Sequence, residues 1–365
     1  MLNVRNTPAN IDFLFNGACS SSDIGDKLMA CNMDPGALRP YIAEDGRSYV
    51  TVYRNGKPEA IRTNAQATLT KEAWKQLDTA IMRAAQNRLR VVADLRAAGL
   101  TYAVPNGMGT TVLEYQKISD INDADISMDG LRMGADDRPV FESAFLPLPI
   151  IHKDFQFSLR QIRTSKQTGA PLDTTMGELA GRKVAEYVEK LTLGRLSTYA
   201  FGGGTIYGMT NFNKRLTATI TAPTATAWTA AAHLDEVLTM KQTAQDAKHY
   251  GPFVLYYSSA WDKYLDGDFN TNYPNKTLRQ RIREIDGISD VRTLDYLDSA
   301  DSTYNMVLLE MDSSTIRMVI GMDVMTLEWE SYGGLLKNYK VMCIIIPQLR
   351  ADIDDNTGIV HGSTS

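Results

Sequence analysis

The chain has 365 residues, long for one domain and about right for two intertwined ones, and 44% of it is apolar, enough for a sizeable core. Acidic residues outnumber basic ones by 43 to 38 and neither sign gathers in one block, which argues against the basic face of a sequence-reading nucleic-acid protein. The three cysteines, Cys19, Cys31 and Cys343, show no Cys-x-x-Cys spacing and suit a reducing compartment, and no stretch approaches the 18 apolar residues of a membrane span.

The first 66 or so residues carry Gly, Pro, Asn and Asp every few positions, with isolated apolar residues such as Phe13, Leu14, Phe15, Leu28 and Met33. Ile11–Cys19 has a faint likeness to a lipoprotein leader. Its apolar run is too short and is broken by Asp12 and Asn16, so the reading is cytosolic. Ser48–Thr63 alternates around Asn55-Gly56, a strong hairpin signal. A segment like this cannot build its own core, and it reads as an arm that orders against a partner. About 60 residues, extended at roughly 3.3 Å each, reach on the order of 200 Å.

A helix follows. Thr70 is its N-cap, Glu72 sits in the first turn, and Trp74, Leu77, Ile81, Ala84, Ala85, Leu89 and Val92 recur at helical spacing before Gly99. Arg83, Arg88, Arg90 and Arg96 lie off that stripe and read as a solvated face. From Thr110 to Leu159 two alternating runs flank a polar tip rich in Asp and Gly, which spells a projecting hairpin of roughly 40 residues serving contacts outside its own domain. After a turn at Gly169-Ala170-Pro171 comes the best helix in the chain. Thr175-x-x-Glu178 is a capping box, Met176, Leu179, Ala180, Val184, Val188 and Leu191 form the stripe, and Gly194 stops it.

Residues 201–331 mix helices and strands. Helices are expected at 230–248, with Leu234, Val237, Leu238 and Ala244 inward, and at 277–285, opened by Thr277-x-x-Gln280. Strands are expected at Phe253–Tyr257, Val291–Tyr296, Met306–Met311, Ile316–Ile320 and Val324–Trp329, then a buried strand Lys340–Pro347 and a polar tail.

No reaction emerges from this inventory: no catalytic, cofactor-binding or metal-binding residue is nominated, and no cofactor. Gly202-Gly203-Gly204 has the flexibility to approach a phosphate, but Tyr207 stands where a dinucleotide fingerprint needs glycine, so a flexible loop tip is the better reading. Gly107-x-Gly109 fails the same test at Val112. His152, His233, His249 and His361 are scattered without ligand spacing and read as surface or satisfied core residues. Asp352-x-Asp354-x-Asn356 begins like a calcium loop, but Thr357 and Ser363 occupy the positions of its glycine and its bidentate glutamate.

The order of parts resembles a known family. Leu69–Ala85 resembles the opening helix of Hong Kong 97-type shell proteins, closest to their encapsulin-like branch, and Ala103–Thr111 resembles the turn before their extended loop. Pro147–Gly194 is similar to their return strand, F-x-L element and spine helix, and Ile344–Val360 to the close of many phage capsid subunits. The resemblance implies an α+β fold: an N-terminal arm (1–66), a first helix opening the peripheral domain (67–111), an extended loop (112–147), a peripheral segment (148–199) with its spine helix (175–193), an axial α/β domain (200–331), and a return strand with tail (332–365). It implies the major capsid protein of a tailed double-stranded DNA phage, a structural protein and not an enzyme, assembled in the host cytoplasm and residing in the virion. Its partners would be itself in pentamers and hexamers, scaffolding, portal and cement proteins, and packaged DNA touched non-specifically, with no membrane. The alternative carried beside it is an encapsulin-type compartment around a cargo enzyme. The long arm favours the virus.

Overall fold

The structure, a computed structural model, describes residues 41–43, 45–54, 57–62, 90–118, 128, 141–168, 175–270, 273–298 and 304–364. Most of the arm, the first helix as far as residue 89, the tip of the long hairpin and the turn at 169–171 lie outside the described residues.

Strands β1 (Tyr41–Ile42), β2 (Ser48–Arg54) and β3 (Lys57–Arg62) form a three-stranded sheet. Arg54 pairs with Lys57, so the connection has two residues, as Asn55-Gly56 called for. Helix α1 (Arg90–Ala97) buries Val91, Val92 and Leu95 and stops at Gly99, whose φ of 74° suits a C-terminal glycine. Strand β4 (Thr101–Ala103) leads to the hairpin β5 (Val112–Ile118) and β6 (Phe141–Pro147), then to β7 (Ile151–Ser158), α2 (Leu159–Thr168) and α3 (Thr175–Leu193). The short pair β8 (Tyr199–Phe201) and β9 (Gly204–Ile206) precedes β10 (Leu216–Ile220), α4 (Ala230–Asp246), β11 (Phe253–Ser258) and α5 (Asp262–Leu265). Then come β12 (Asp268–Asn270), β13 (Tyr273–Thr277), α6 (Leu278–Arg283), β14 (Ile288–Leu294), β15 (Met306–Glu310), β16 (Ile316–Ser331), β17 (Leu336–Leu349) and β18 (Ile359–Thr364).

These elements make two compact units. One gathers the residues up to Thr111, Leu148–Glu189 and Met318–Ile346; the other gathers Val112–Pro147, Lys190–Arg317 and the residues from Pro347 on.

The first unit is built on a four-stranded sheet ordered β4-β16-β17-β7, with β4 parallel to β16 and β17 antiparallel to β7. Phe155 stacks on Tyr339 at 5.2 Å between ring centres and Phe157 meets the same ring edge-on at 5.7 Å, a pair of contacts each adding about 1 kcal/mol beyond burial. The buried side of α3 is Ala180, Val184, Ala185 and Val188. One expectation fails here. The strands expected at Ile316–Ile320 and Val324–Trp329 are one, because Gly321 does not break the strand but admits the turn after β4: a Cβ on Gly107 would lie 2.3 Å from the Gly321 carbonyl oxygen. Arg96 is exposed, as expected, but it also makes a long-range bond. Its guanidinium donates to the buried Asp323 carboxylate on β16 at 2.7 Å, a pairing 227 residues apart in sequence.

The second unit holds a five-stranded sheet ordered β10-β18-β15-β11-β14, parallel at its two ends and antiparallel between. Helices α4 and α6 cover it with Val237, Met240, Ala244, Leu278 and Ile282 against Phe253, Leu255, Tyr257 and Trp261. Thr277 and Gln280 form the expected capping box of α6. Leu238, expected inward on α4, is exposed, and His233 and Met240 take the core positions instead. His233 is tolerated there because Glu236 and the Tyr257 hydroxyl, each 2.9 Å away, satisfy both ring nitrogens. The expected polar tail is also corrected: Ile359–Thr364 is a strand seated between β10 and β15, with Ile359 and Val360 fully buried. Two apolar residues suffice at its start, since the backbone ladders on both sides do the rest.

Candidate assembly surfaces

The hairpin β5–β6 belongs to the second unit, and its ladder runs in register from Val112 opposite Pro147 to Ile118 opposite Phe141. Alternation gives it two faces. Leu113, Tyr115, Ala144 and Leu146 are partly or wholly covered, whereas Glu114, Gln116, Phe141, Ser143 and Phe145 are exposed. Across that outer face Ser143 donates to the Glu114 carboxylate at 3.0 Å. Phe141 and Phe145 keep 55% and 39% of their surface in water, an apolar display a lone soluble subunit gains nothing from.

The three glycines considered at 202–204 are not a phosphate cradle. Gly202 and Gly203, with φ of 57° and 81°, turn β8 into β9, and a Cβ on Gly204 would lie 2.2 Å from the Phe145 carbonyl oxygen. The backbone of β6 occupies the space a ligand would need. Beside this packing lies a cavity of about 270 Å³ lined by Tyr115, Lys117, Tyr207, Phe212 and Lys214 among others.

On α3, the 19-residue helix expected at 175–193, Met176 and Leu179 were assigned to the buried stripe. They are exposed instead, with 46% and 39% of their surface accessible, along with Tyr187 at 48%. Lys183 lies among them and, with Arg182, shares the single carboxylate of Glu186, at 2.8 and 3.5 Å. A third exposed apolar group sits at the turn joining β16 to β17: Tyr332 and Leu335 stand in water, and Trp329 lies under the Lys340 ammonium at 5.6 Å. Beneath that turn Lys337 is buried between Glu328 and Glu330, and burial holds its ammonium below the usual lysine range against the pull of Glu328.

The histidines fall where surface or satisfied-core residues belong. His152 is exposed beside Asp154 at 3.4 Å, and His249 binds the Glu310 carboxylate, which also accepts the Thr315 hydroxyl at 2.9 Å and the Gly251 N–H at 3.0 Å. His361 is buried on β18: Arg215 donates to Nδ1 at 3.4 Å, and Nε2 faces Asn305 Oδ1 at 3.2 Å, so the ring is neutral and protonated on Nε2. Burial, reinforced by Arg215 and Arg195, pulls its pKa down to about 4. Glu189 on α3 takes the Val91 N–H at 2.9 Å at the start of α1, and burial pushes it up to about 7. Sequence reading had no signal for Glu189 or Lys337, whose partners are set by the tertiary fold. Asp352 accepts from Asn356, and Asp355 pairs with Lys214, so the acidic stretch is tied to itself and its surroundings. Among the described residues no three His, Cys, Asp or Glu side chains are placed to hold a metal, and no helix is long and apolar enough to cross a membrane.

A unit with a long helix and a four-stranded sheet, and a second unit with a β-hairpin and a five-stranded α/β sheet, match the Hong Kong 97-type fold. A virus-like particle from Pyrococcus furiosus is similar to this chain at a TM-score of 0.56 and 15% identity, over 80% of this chain and 99% of that one. The capsid of Myoviridae phage XM1 is similar at 0.56 and 10% identity, over 74% and 91% of the two chains, and a Mycobacterium phage Bobi chain at 0.54 and 11%, over 74% and 90%. No curated protein matches the sequence. By its sequence the chain belongs to a family of unknown function, DUF6260, whose model matches residues 64–362.

Proposed function

We propose that this chain is the major capsid subunit of a tailed double-stranded DNA bacteriophage, assembling as pentamers and hexamers into a closed icosahedral shell and performing no catalysis. The observation that carries the reading is the fold's likeness to nearly the entire length of two shell-forming chains, 99% of the virus-like particle subunit and 91% of the phage XM1 capsid subunit. A shell needs large contacts between identical chains, typically on the order of 2,000–5,000 Å² for obligate interfaces. Exposed apolar residues on β5–β6 and α3 lie outside the cores and are open to such contacts.

In this reading the first unit is the peripheral domain with its spine helix, the second is the axial domain, residues 112–147 reach over a neighbouring subunit, and residues 1–66 are an arm tying subunits together. The strand β18 goes with the axial sheet it completes. The slightly acidic balance suits a wall that touches packaged DNA non-specifically and releases it. Scaffolding, portal and cement proteins are the further partners, and the virion, assembled in the host cytoplasm, is the place.

A second reading, an encapsulin-type compartment around a cargo enzyme, draws on the virus-like particle match. Negative-stain microscopy and sizing of the purified chain test the shared part: closed shells or capsomers are expected, and a persistent small oligomer under every assembly condition sinks both. Particles recovered from the native source separate them, since DNA inside supports the capsid and a single co-purifying enzyme supports the compartment.

A further inference from the structure

The cavity of about 270 Å³ lies wholly within the second unit, and two stretches of chain wall it. The β5–β6 hairpin contributes Tyr115, Lys117 and Ala144, and the chain that follows β9 contributes Tyr207, Phe212 and Lys214. Tyr207 and Phe212 meet edge to face at 5.9 Å, so the two rings brace each other as one surface. The Tyr115 hydroxyl bonds to Gln348, and burial raises its pKa, so that ring stays neutral in the wall. Two ammoniums belong to the lining, and among the described residues it holds no carboxylate. Glu114 and Glu142, the acids of the described hairpin strands, take no part in it. Lys214 pairs with Asp355, which stands outside the lining, and Lys117 supplies the other charge. Ser143 and Asn213, also in the lining, are exposed, so solutes can reach the space. A packing defect is lined by apolar groups and stays dry, whereas here rings are mixed with ammoniums and hydroxyls.

We propose that this cavity binds a small organic anion carrying a flat aromatic ring, the ring held between Tyr115 and the Tyr207–Phe212 pair and the acidic group held by Lys117 and Lys214. The volume is at the small end of ligand pockets, and a few polar groups set in an apolar lining are what fix a ligand's orientation in them. Flat solutes pack well against aromatic rings, and a partly dry site strengthens the pull of the ammoniums over what open water allows. The occupant touches both the hairpin and the chain after β9, and so pins the base of the hairpin to the rest of the second unit. The site belongs to one subunit and stands whether or not the chain forms shells.

Two fluorescent probes test it on the purified chain: anilinonaphthalene sulfonate, an aromatic anion, and phenylnaphthylamine, the same rings without the sulfonate. The sulfonate should saturate at one site per chain and bind about tenfold more tightly than the neutral probe. Lys117→Gln should weaken the sulfonate about tenfold and leave the neutral probe unchanged, while Lys117→Arg should keep the parent's affinity. Asp355→Asn frees Lys214 of its partner and should tighten sulfonate binding severalfold, since asparagine accepts the positive φ of 66° found there. Ala144→Phe fills the space and should abolish the saturable site for both probes. Where Ala144→Phe does not melt cooperatively, the three charge variants decide. Fluorescence indifferent to these substitutions marks adhesion to exposed apolar surface such as Phe141 and overturns the proposal, as does a parent chain that binds neither probe.

Discussion

The two units bury titratable groups of opposite kind. In the first, Glu189 is a carboxyl pushed up to about 7 by burial; in the second, His361 is an imidazole pulled down to about 4 by burial and two arginines. The same cause, the cost of an ion in a dry interior, holds the proton on Glu189 up to about pH 7 and keeps it off His361 down to about pH 4. One solution variable therefore pushes the two halves of a single chain in opposite directions.

The largest expected effect breaks the comparison by removing one side of it. Deleting residues 357–364 strips β18 from between β10 and β15, leaving β10 without a partner, β15 as a bare edge beside β11, and the core facing Ile359 and Val360 open. Amide hydrogen exchange should show the second unit's strands exchanging freely while β16 and β17 keep their protection. Protection in β11 and β15 like that of the parent would mean the sheet closes without β18.

The pH effect comes next and bears on the comparison itself. His361 has a folded pKa of about 4 against an ordinary 6.5, so below pH 6.5 the unfolded chain takes a proton the folded one refuses. Its stabilisation is full above that pH and is lost as pH falls toward 4, by roughly 3 kcal/mol. Glu189 has a folded pKa of about 7 against 4.5, so the unfolded chain ionises first as pH rises. Its stabilisation is full below pH 4.5 and is lost on rising through 7, again by roughly 3 kcal/mol. Hydrogen exchange at pH 5 and 7.5, corrected for intrinsic rates, should show the first unit gaining protection and the second losing it on acidification. Glu189→Gln and His361→Gln should each flatten the response of its own unit only, and a uniform response in both units would refute the assignment.

Two smaller substitutions sharpen the contrast. Gly107→Ala forces a methyl against the Gly321 carbonyl and should cost the first unit about 2 kcal/mol, seen as a lowered melting temperature of the whole chain and faster exchange in β4 and β16. Thr277→Ala removes the α6 cap and should cost the second unit about 1 kcal/mol, with exchange quickened at Leu278–Gln280 first.

What the sequence disclosed follows the range of the interaction. Helix α3, the α6 capping box and the two-residue turn after Arg54 are decided by residues within a few positions of one another, and all were legible. The order of parts was legible as well, through a resemblance rather than through any one motif. What stayed hidden was settled at long range. Gly321 falls between two expected strands until Gly107 is known to press on it, and nothing local to Arg96 announces its bond to Asp323, 227 residues away. Met176 and Leu179 misled in a more informative way: helical periodicity marks an apolar stripe without saying whether its partner is in the same chain. Met176 and Leu179, which periodicity assigned to the core, are exposed on α3.

The seating of β18 also sets a timetable. Its neighbour β10 ends at Ile220, and β18 ends at Thr364, so some 140 residues must be made between them before the sheet can close. At about 5–20 residues per second that interval lasts on the order of ten seconds, during which the second unit cannot be complete on the ribosome. Until Ile359–Thr364 arrives, β10 has no strand partner and the sheet of the second unit stays open.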